Sequence, residues 1–345
     1  MELNLSLSLK RELMFKDNSE IGLVDRQKLG LYLKPIFIAQ LSLVDSLEHS
    51  AYAFKDGVFE LVLEEDEIIL PEFIREYALS IGSEIFINIK DDKLLKESIS
   101  KELNVMARSL SIGDPLKNSV RQANLLTFQM NSLYDDPLNN ALLSSQFQGG
   151  QSLSSLLTST SGLDKKLYHR LDKIDHHYIL KQPMISSILL LAFLKEIKAF
   201  SPRENENLFL TSYFKDIGMS FVPKDIWDLD KLSQHAKQNL SEHSENSYNI
   251  LDGRIPLSKK YLNIIKNHNY LNSKANKSES IDAIIGIETA LVNAVDILVA
   301  MINERPYRSN YTVFKALDFL KILISDDYPQ EYRALVKFVL KFLKQ

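Results

Sequence analysis

The stretch from Met184 to Phe200, MISSILLLAFLKEIKAF, constrains the fold more than any other part of the chain. Read as a helix, it is apolar around most of its circumference, and such a helix must be buried on most of its sides. Its most apolar run, Ile188 to Leu194, is too short to cross a bilayer, which takes about 20 residues. Other helices of the same chain must therefore surround it. The later sequence supplies them: Leu208–Ile217, Leu232–Leu251, Ser258–His268, Ile281–Ile302, Tyr311–Ile324 and Tyr328–Leu343 all carry helical spacing, and no strand pattern interrupts them. The expectation is an all-helical domain over 166–345.

The first part of the chain reads differently. Leu31–Ile38 is strand-like around Pro35, and Ala51–Phe54, Asp56-Gly57 and Val58–Leu63 read as a hairpin with an Asp-Gly turn. Pro71–Ile81 has helical spacing with Pro71 suited to a first turn. Glu84–Ile89 alternates as a strand, and Asp92–Leu110 and Lys117–Leu133 read as helices. Between the halves, Ser144 to Gly162 is mostly Ser, Thr, Gln and Gly, a composition that favours a linker. The fold class read from these patterns is two-domain. A small α+β N-terminal domain (1–145) and a linker (146–165) precede the all-α domain.

Composition narrows the function. With no cysteine, disulfides, thiolate metal sites and a cysteine nucleophile are excluded. A net charge of −4 and a pI of about 6.0 give no electrostatic reason to expect nucleic acid or an anionic membrane as partner. The start of the chain lacks the basic and apolar regions of a signal peptide, so a cytoplasmic protein is expected. The first half has no glycine-rich phosphate loop and one histidine, His49.

The second half holds four chemically notable features. Phe214-Lys215-Asp216-Ile217-Gly218 ends an apolar helix with a charged pair. His243 lies eight residues before Leu251, and Asn267-His268 ends another helix. Asp296 sits inside the apolar run Ala290–Ala300, where an unpaired carboxylate would cost several kcal/mol, so it needs a cation, a metal or hydrogen-bond donors.

The order and spacing of these features resemble the HD-GYP branch of the HD superfamily, found in bacterial proteins. In that family a first His, an HD pair within HDIGK, a further His, an adjacent HH pair and an Asp bind two or three metal ions, usually iron or manganese. These activate water to cleave cyclic-di-GMP. Lys215–Met219 (KDIGM) is similar to HDIGK, and His243 with Ile250-Leu251 is similar to the next His and its trailing apolar pair. Asn267-His268 stands at the HH pair and Asp296 at the final Asp. Arg305-Pro306-Tyr307-Arg308, nine residues on, is similar to the family's R-P-Y-R. Tyr178–Gln182 resembles the segment that carries the first His, with Gln182 in its place. His176 and His177, just upstream, read as loop or helix-start residues. The resemblance implies an all-α HD-GYP-like helical domain behind the small α+β one, which itself looks like the domain preceding some HD-GYP modules.

The departures weigh on function. Gln182, Lys215 and Asn267 replace metal-ligating histidines, Met219 replaces the lysine that approaches the substrate phosphate, and Asn269–Asp282 has no G-Y-P counterpart. Asp216, His243, His268 and Asp296 remain, two histidines and two carboxylates that on ligand count alone suffice for one ion, iron or manganese by resemblance. A Lys215 ammonium beside them repels a metal and pairs with Asp216 or Asp296 instead. Arg305 and Arg308 either contact phosphate or cap the preceding helix and pair with acids such as Glu304. The expectation is a non-catalytic signalling protein, with no cofactor, that binds a protein partner such as a diguanylate cyclase or a second copy of itself. The alternatives are a cyclic-di-GMP phosphodiesterase with a reduced metal site and a cyclic-di-GMP receptor that does not cut.

Overall fold

The computed structural model describes residues 32–343, apart from 56, 83, 175–176, 228, 230–232, 272–285 and 306. By its internal contacts the chain divides into two compact units, 1–101 and 102–345.

In the first unit, strands β1 (Leu33–Phe37), β2 (Ala51–Lys55), β3 (Val58–Leu63) and β4 (Glu84–Asn88) form an antiparallel sheet of order β1-β4-β2-β3. The β2–β3 hairpin is the one the Asp-Gly turn predicts. Period-two alternation sets its faces. Ala51, Ala53, Ile85 and Ile87 are fully buried on one side, and Phe54, Phe59 and Phe86 meet on the other, their rings 4.9–5.8 Å apart. Helix α1 (Pro71–Ser80) carries its proline in the first turn, and α2 (Ile89–Ser109) begins directly after β4.

The second unit is helical. Helices α3 (Pro115–Asp135) and α4 (Asn140–Ser159) are opened by Asp114 and Asn139, whose side chains accept first-turn N–H groups. Helix α4 occupies most of the segment 146–165 expected to be a linker. Its polar and small residues are packing devices, not marks of a loop. A β-carbon at Gly149 would lie 2.9 Å from Leu126, so glycine lets the helices close up there. Gln146 donates to the Leu126 carbonyl at 2.7 Å and Gln122 to the Gly149 carbonyl at 2.7 Å, both fully buried. Ser154 and Ser159 bond back to carbonyls of their own helix.

Helix α5 (Leu163–Leu171) leads to α6 (Tyr178–Ile197), the helix of the Met184–Phe200 stretch, which starts six residues earlier than its apolar pattern. Ile188, Leu189, Leu190, Leu191, Phe193 and Leu194 are fully buried. This helix is long and apolar enough to cross a membrane, and 78% of its apolar window is covered by protein. It packs against α3, α4 and α5 and against α7 (Pro202–Phe214), α10 (Ile287–Ile302) and α12 (Pro329–Phe342); α8 (Gln234–Leu251), α9 (Lys259–Lys266) and α11 (Val313–Ile324) also belong to this unit. Residues 281–285 of the expected helix Ile281–Ile302, and most of Asn269–Asp282, lie outside the described residues.

Candidate functional site

Helix α7 is started by a reciprocal cap: Glu204 accepts from the Ser201 N–H at 2.9 Å, and Ser201 accepts from the Glu204 N–H at 3.3 Å. It ends by delivering Lys215 into the interior, where the side chain has no solvent exposure. Asp216 then opens a short 3-10 helix, Ile217–Phe221, which contains the buried Met219. Gly218 clamps this helix to α8. Its N–H donates to Ser247 Oγ at 2.8 Å, that hydroxyl donates to the His243 carbonyl at 2.8 Å, and a β-carbon on Gly218 would overlap that carbonyl. The glycine thereby sets how near Asp216 stands to His243.

Lys215 Nζ pairs with Asp216 Oδ2 and, at 3.0 Å, with Asp296 Oδ1 from α10. Burial alone would lower the lysine's pKa, but the two carboxylates raise it above its ordinary value. Burial would raise Asp216, yet Lys215, His243 and His268 hold its carboxyl well below the usual range. Asp296 Oδ1 also accepts from Gln182 Nε2 at 2.7 Å and Ser186 Oγ at 3.1 Å, side chains one turn apart on α6. Gln182 in turn accepts from Arg305, whose guanidinium carbon lies 4.0 Å from the centre of the Tyr178 ring. The part-buried acid in the apolar helix is thus satisfied by an ammonium, an amide and a hydroxyl.

A second cluster lies on the other oxygen of Asp216. His268 Nε2 is 3.1 Å and His243 Nε2 3.5 Å from Asp216 Oδ1, and the two Nε2 atoms are 3.0 Å apart. In each ring Nδ1 contacts a backbone carbonyl, of Leu240 for His243 and of Ile265 for His268. A carbonyl only accepts, so both Nδ1 atoms carry the proton. In the neutral rings both Nε2 lone pairs then face Asp216 and each other. Asn269 Nδ2, 3.2 Å from His243 Nε2, donates to one of them. Such a convergence needs a cation, either a proton on His268 or a metal ion. Burial lowers the His268 pKa, which opposes the proton.

The donor set fits one ion. The three separations match the edges of a tetrahedron with bonds of about 2.0–2.1 Å, roughly 3.3 Å. It does not fit two: a cation, Lys215, stands with Gln182 and Ser186 on Asp296 Oδ1, and Asn267 turns its amide to the Asn263 carbonyl at 2.8 Å on the exposed side.

The four remnant residues therefore fall into a triad, Asp216, His243 and His268, and a separate acid, Asp296, joined through Lys215. Arg308 serves the helix: it donates to the Ala300, Met301 and Ser309 carbonyls, and its backbone pairs with that of Arg305. Arg305 bonds to Gln182, in place of the acid partner expected from Glu304. His177 is the N-cap of α6, and His176 lies outside the described residues. Sequence reasoning missed Ser186, Asn269 and Tyr134. The first sits one turn after Gln182, the second two residues after Asn267, so helical and local spacing could have found both. Tyr134, a buried hydroxyl whose pKa is raised by burial and by Asp216, carries no such signal.

No protein-family model and no curated protein matches the chain. A search of solved structures finds similarity to Bd1817, a HDG"Y"P protein from Bdellovibrio bacteriovorus, at a TM-score of 0.62 and 14% identity over 90% of this chain and 99% of that one. The chain thus has the fold of an HD-GYP protein: a small N-terminal antiparallel sheet followed by a mostly helical region.

Proposed function

We propose that the protein is a cytoplasmic signalling protein of the cyclic-di-GMP system that uses an HD-GYP scaffold without hydrolysing the nucleotide. It acts by binding a protein partner, such as a diguanylate cyclase, or a second copy of itself. One observation carries the reading. The buried Lys215 ammonium sits between Asp216 and Asp296 and supplies there the positive charge that metal ions supply in enzymes of this fold. Two-metal hydrolysis needs ions about 3.5–4 Å apart held by shared ligands, and here Asp296 is committed to Lys215, Gln182 and Ser186.

Elemental analysis of protein expressed with added iron and manganese tests this. At most one equivalent at the Asp216–His243–His268 cluster, with no cyclic-di-GMP cleavage, is the expected result. Two stoichiometric equivalents that are both lost in His268→Ala overturn the reading. The paired substitution Lys215→His with Asn267→His is expected to raise metal uptake, because it removes the competing cation and restores two ligands.

A phosphodiesterase with one metal ion is the second reading, favoured by the convergence of Asp216, His243 and His268. The resident ion would be iron or manganese, held by these three residues, and when bound it would supply an activated water. One equivalent of metal together with cleavage supports it. A receptor reading rests on a cavity of about 380 Å³ beside Gln182, lined by Tyr178, Lys181 and Arg305, whose Nη1 is buried without a hydrogen-bond partner. Calorimetry with cyclic-di-GMP separates receptor from scaffold: micromolar binding without cleavage favours the receptor.

A further inference from the structure

The first unit contains a buried carboxylate that lacks a lysine or arginine. Asp91, in the first turn of α2, is 2% exposed. The lysines nearby go to its neighbour instead: Lys34 and Lys96 pair with Asp92 at 3.3 and 2.9 Å. Asp91 Oδ1 and Oδ2 accept the backbone N–H groups of Glu48 and His49, each at 3.2 Å, which leaves a lone pair free on each oxygen. Buried charges are paired or coordinate metals.

The group facing Asp91 is an imidazole. His49 Nδ1 lies 3.3 Å from Asp91 Oδ2, is shut off from solvent and makes no hydrogen bond. A nitrogen and an oxygen at that separation span one edge of a tetrahedron whose bonds are about 2.0–2.1 Å. A carboxylate oxygen of Glu48 falls within 4.8 Å of both atoms, and its side chain is exposed enough to swing inward. The orphaned nitrogen is the observation that points to a ligand. Nδ1 faces the Asp91 carboxylate at ion-pair distance without making a hydrogen bond to it.

We propose that Asp91, His49 and Glu48 form a binding site for one divalent transition-metal ion, zinc-like in its preference for mixed nitrogen and oxygen ligands, with a water completing the tetrahedron. Because the backbone amides of residues 48 and 49 anchor Asp91, the ion would tie the β1–β2 connection to the start of α2.

Calorimetric titration of the metal-stripped full chain with zinc chloride tests the site. His49→Ala is expected to abolish one zinc equivalent, and Glu48→Gln to weaken that same equivalent. His268→Ala is expected to leave it in place, which separates this site from the triad in the helical unit. An unaltered circular dichroism spectrum shows that His49→Ala still folds; if it does not, His49→Gln, which keeps a polar side chain, replaces it. Equal zinc stoichiometry in the wild type and in the folded His49 variant overturns the proposal.

Discussion

Lys215 is the residue on which the site turns. Its ammonium is stable inside the protein because two carboxylates face it, and it is in turn the charged partner they share. Removing one member of such a buried set leaves uncompensated charge. Lys215→Met is therefore expected to lower stability by about 3–5 kcal/mol, read as a fall in the urea midpoint. His268 sets a pH dependence. Its folded pKa is depressed, so the unfolded chain takes up the proton first, and stability is lost as pH falls below the unfolded value of about 6.5. Asp216 adds to this lower down. Its folded pKa is depressed too, so its contribution is complete above the unfolded value of about 3.9 and is lost as pH falls below it. Urea unfolding from pH 8 to pH 5 should show the first loss, and His268→Gln should flatten it.

At the scale of elements, Gly218 is the joint that matters. Alanine there would drive its β-carbon into the His243 carbonyl and to 2.6 Å from the Ser247 nitrogen. Both obstacles are backbone, so the short helix after Asp216 and α8 must separate. Gly218→Ala is expected to cost about 1–3 kcal/mol or more in chemical denaturation, and to broaden the His243 and His268 ring signals in NMR spectra. The sequence shows Asp216, His243, His268 and Asp296 in their order along the chain, and helical spacing shows which helices bear them. It does not show that Lys215 reaches both acids, because the path of a long side chain is decided by what surrounds it. The polar helix α4 was illegible for a related reason. Serine, glutamine and glycine read as linker by composition, and only the neighbouring helices turn Gln146 into a satisfied donor and Gly149 into a contact point. The start of α7 was legible in principle, since Ser201-Pro202 with Glu204 is a capping pattern.

Across the whole molecule, α6 is the structural centre of the second unit. It carries Gln182 and Ser186 toward Asp296 and a fully buried leucine row toward its neighbours. Site and core therefore share one helix. Leu189→Ala, which empties a fully buried position, is expected to cost about 2–5 kcal/mol by urea unfolding with m unchanged. The same variant should leave the Lys215 cluster paired, because the bonds that hold it come from Lys215, Gln182, Ser186, His243 and His268.

The lysine between Asp216 and Asp296 has one more consequence, for the life of the chain in a cell. Enzymes that depend on iron are completed only when the growth medium provides it, and starvation leaves them half made. The charge that Lys215 brings to Asp216 and Asp296 is in place as soon as the chain folds. The pairing of these three side chains would then be the same in protein made with and without iron.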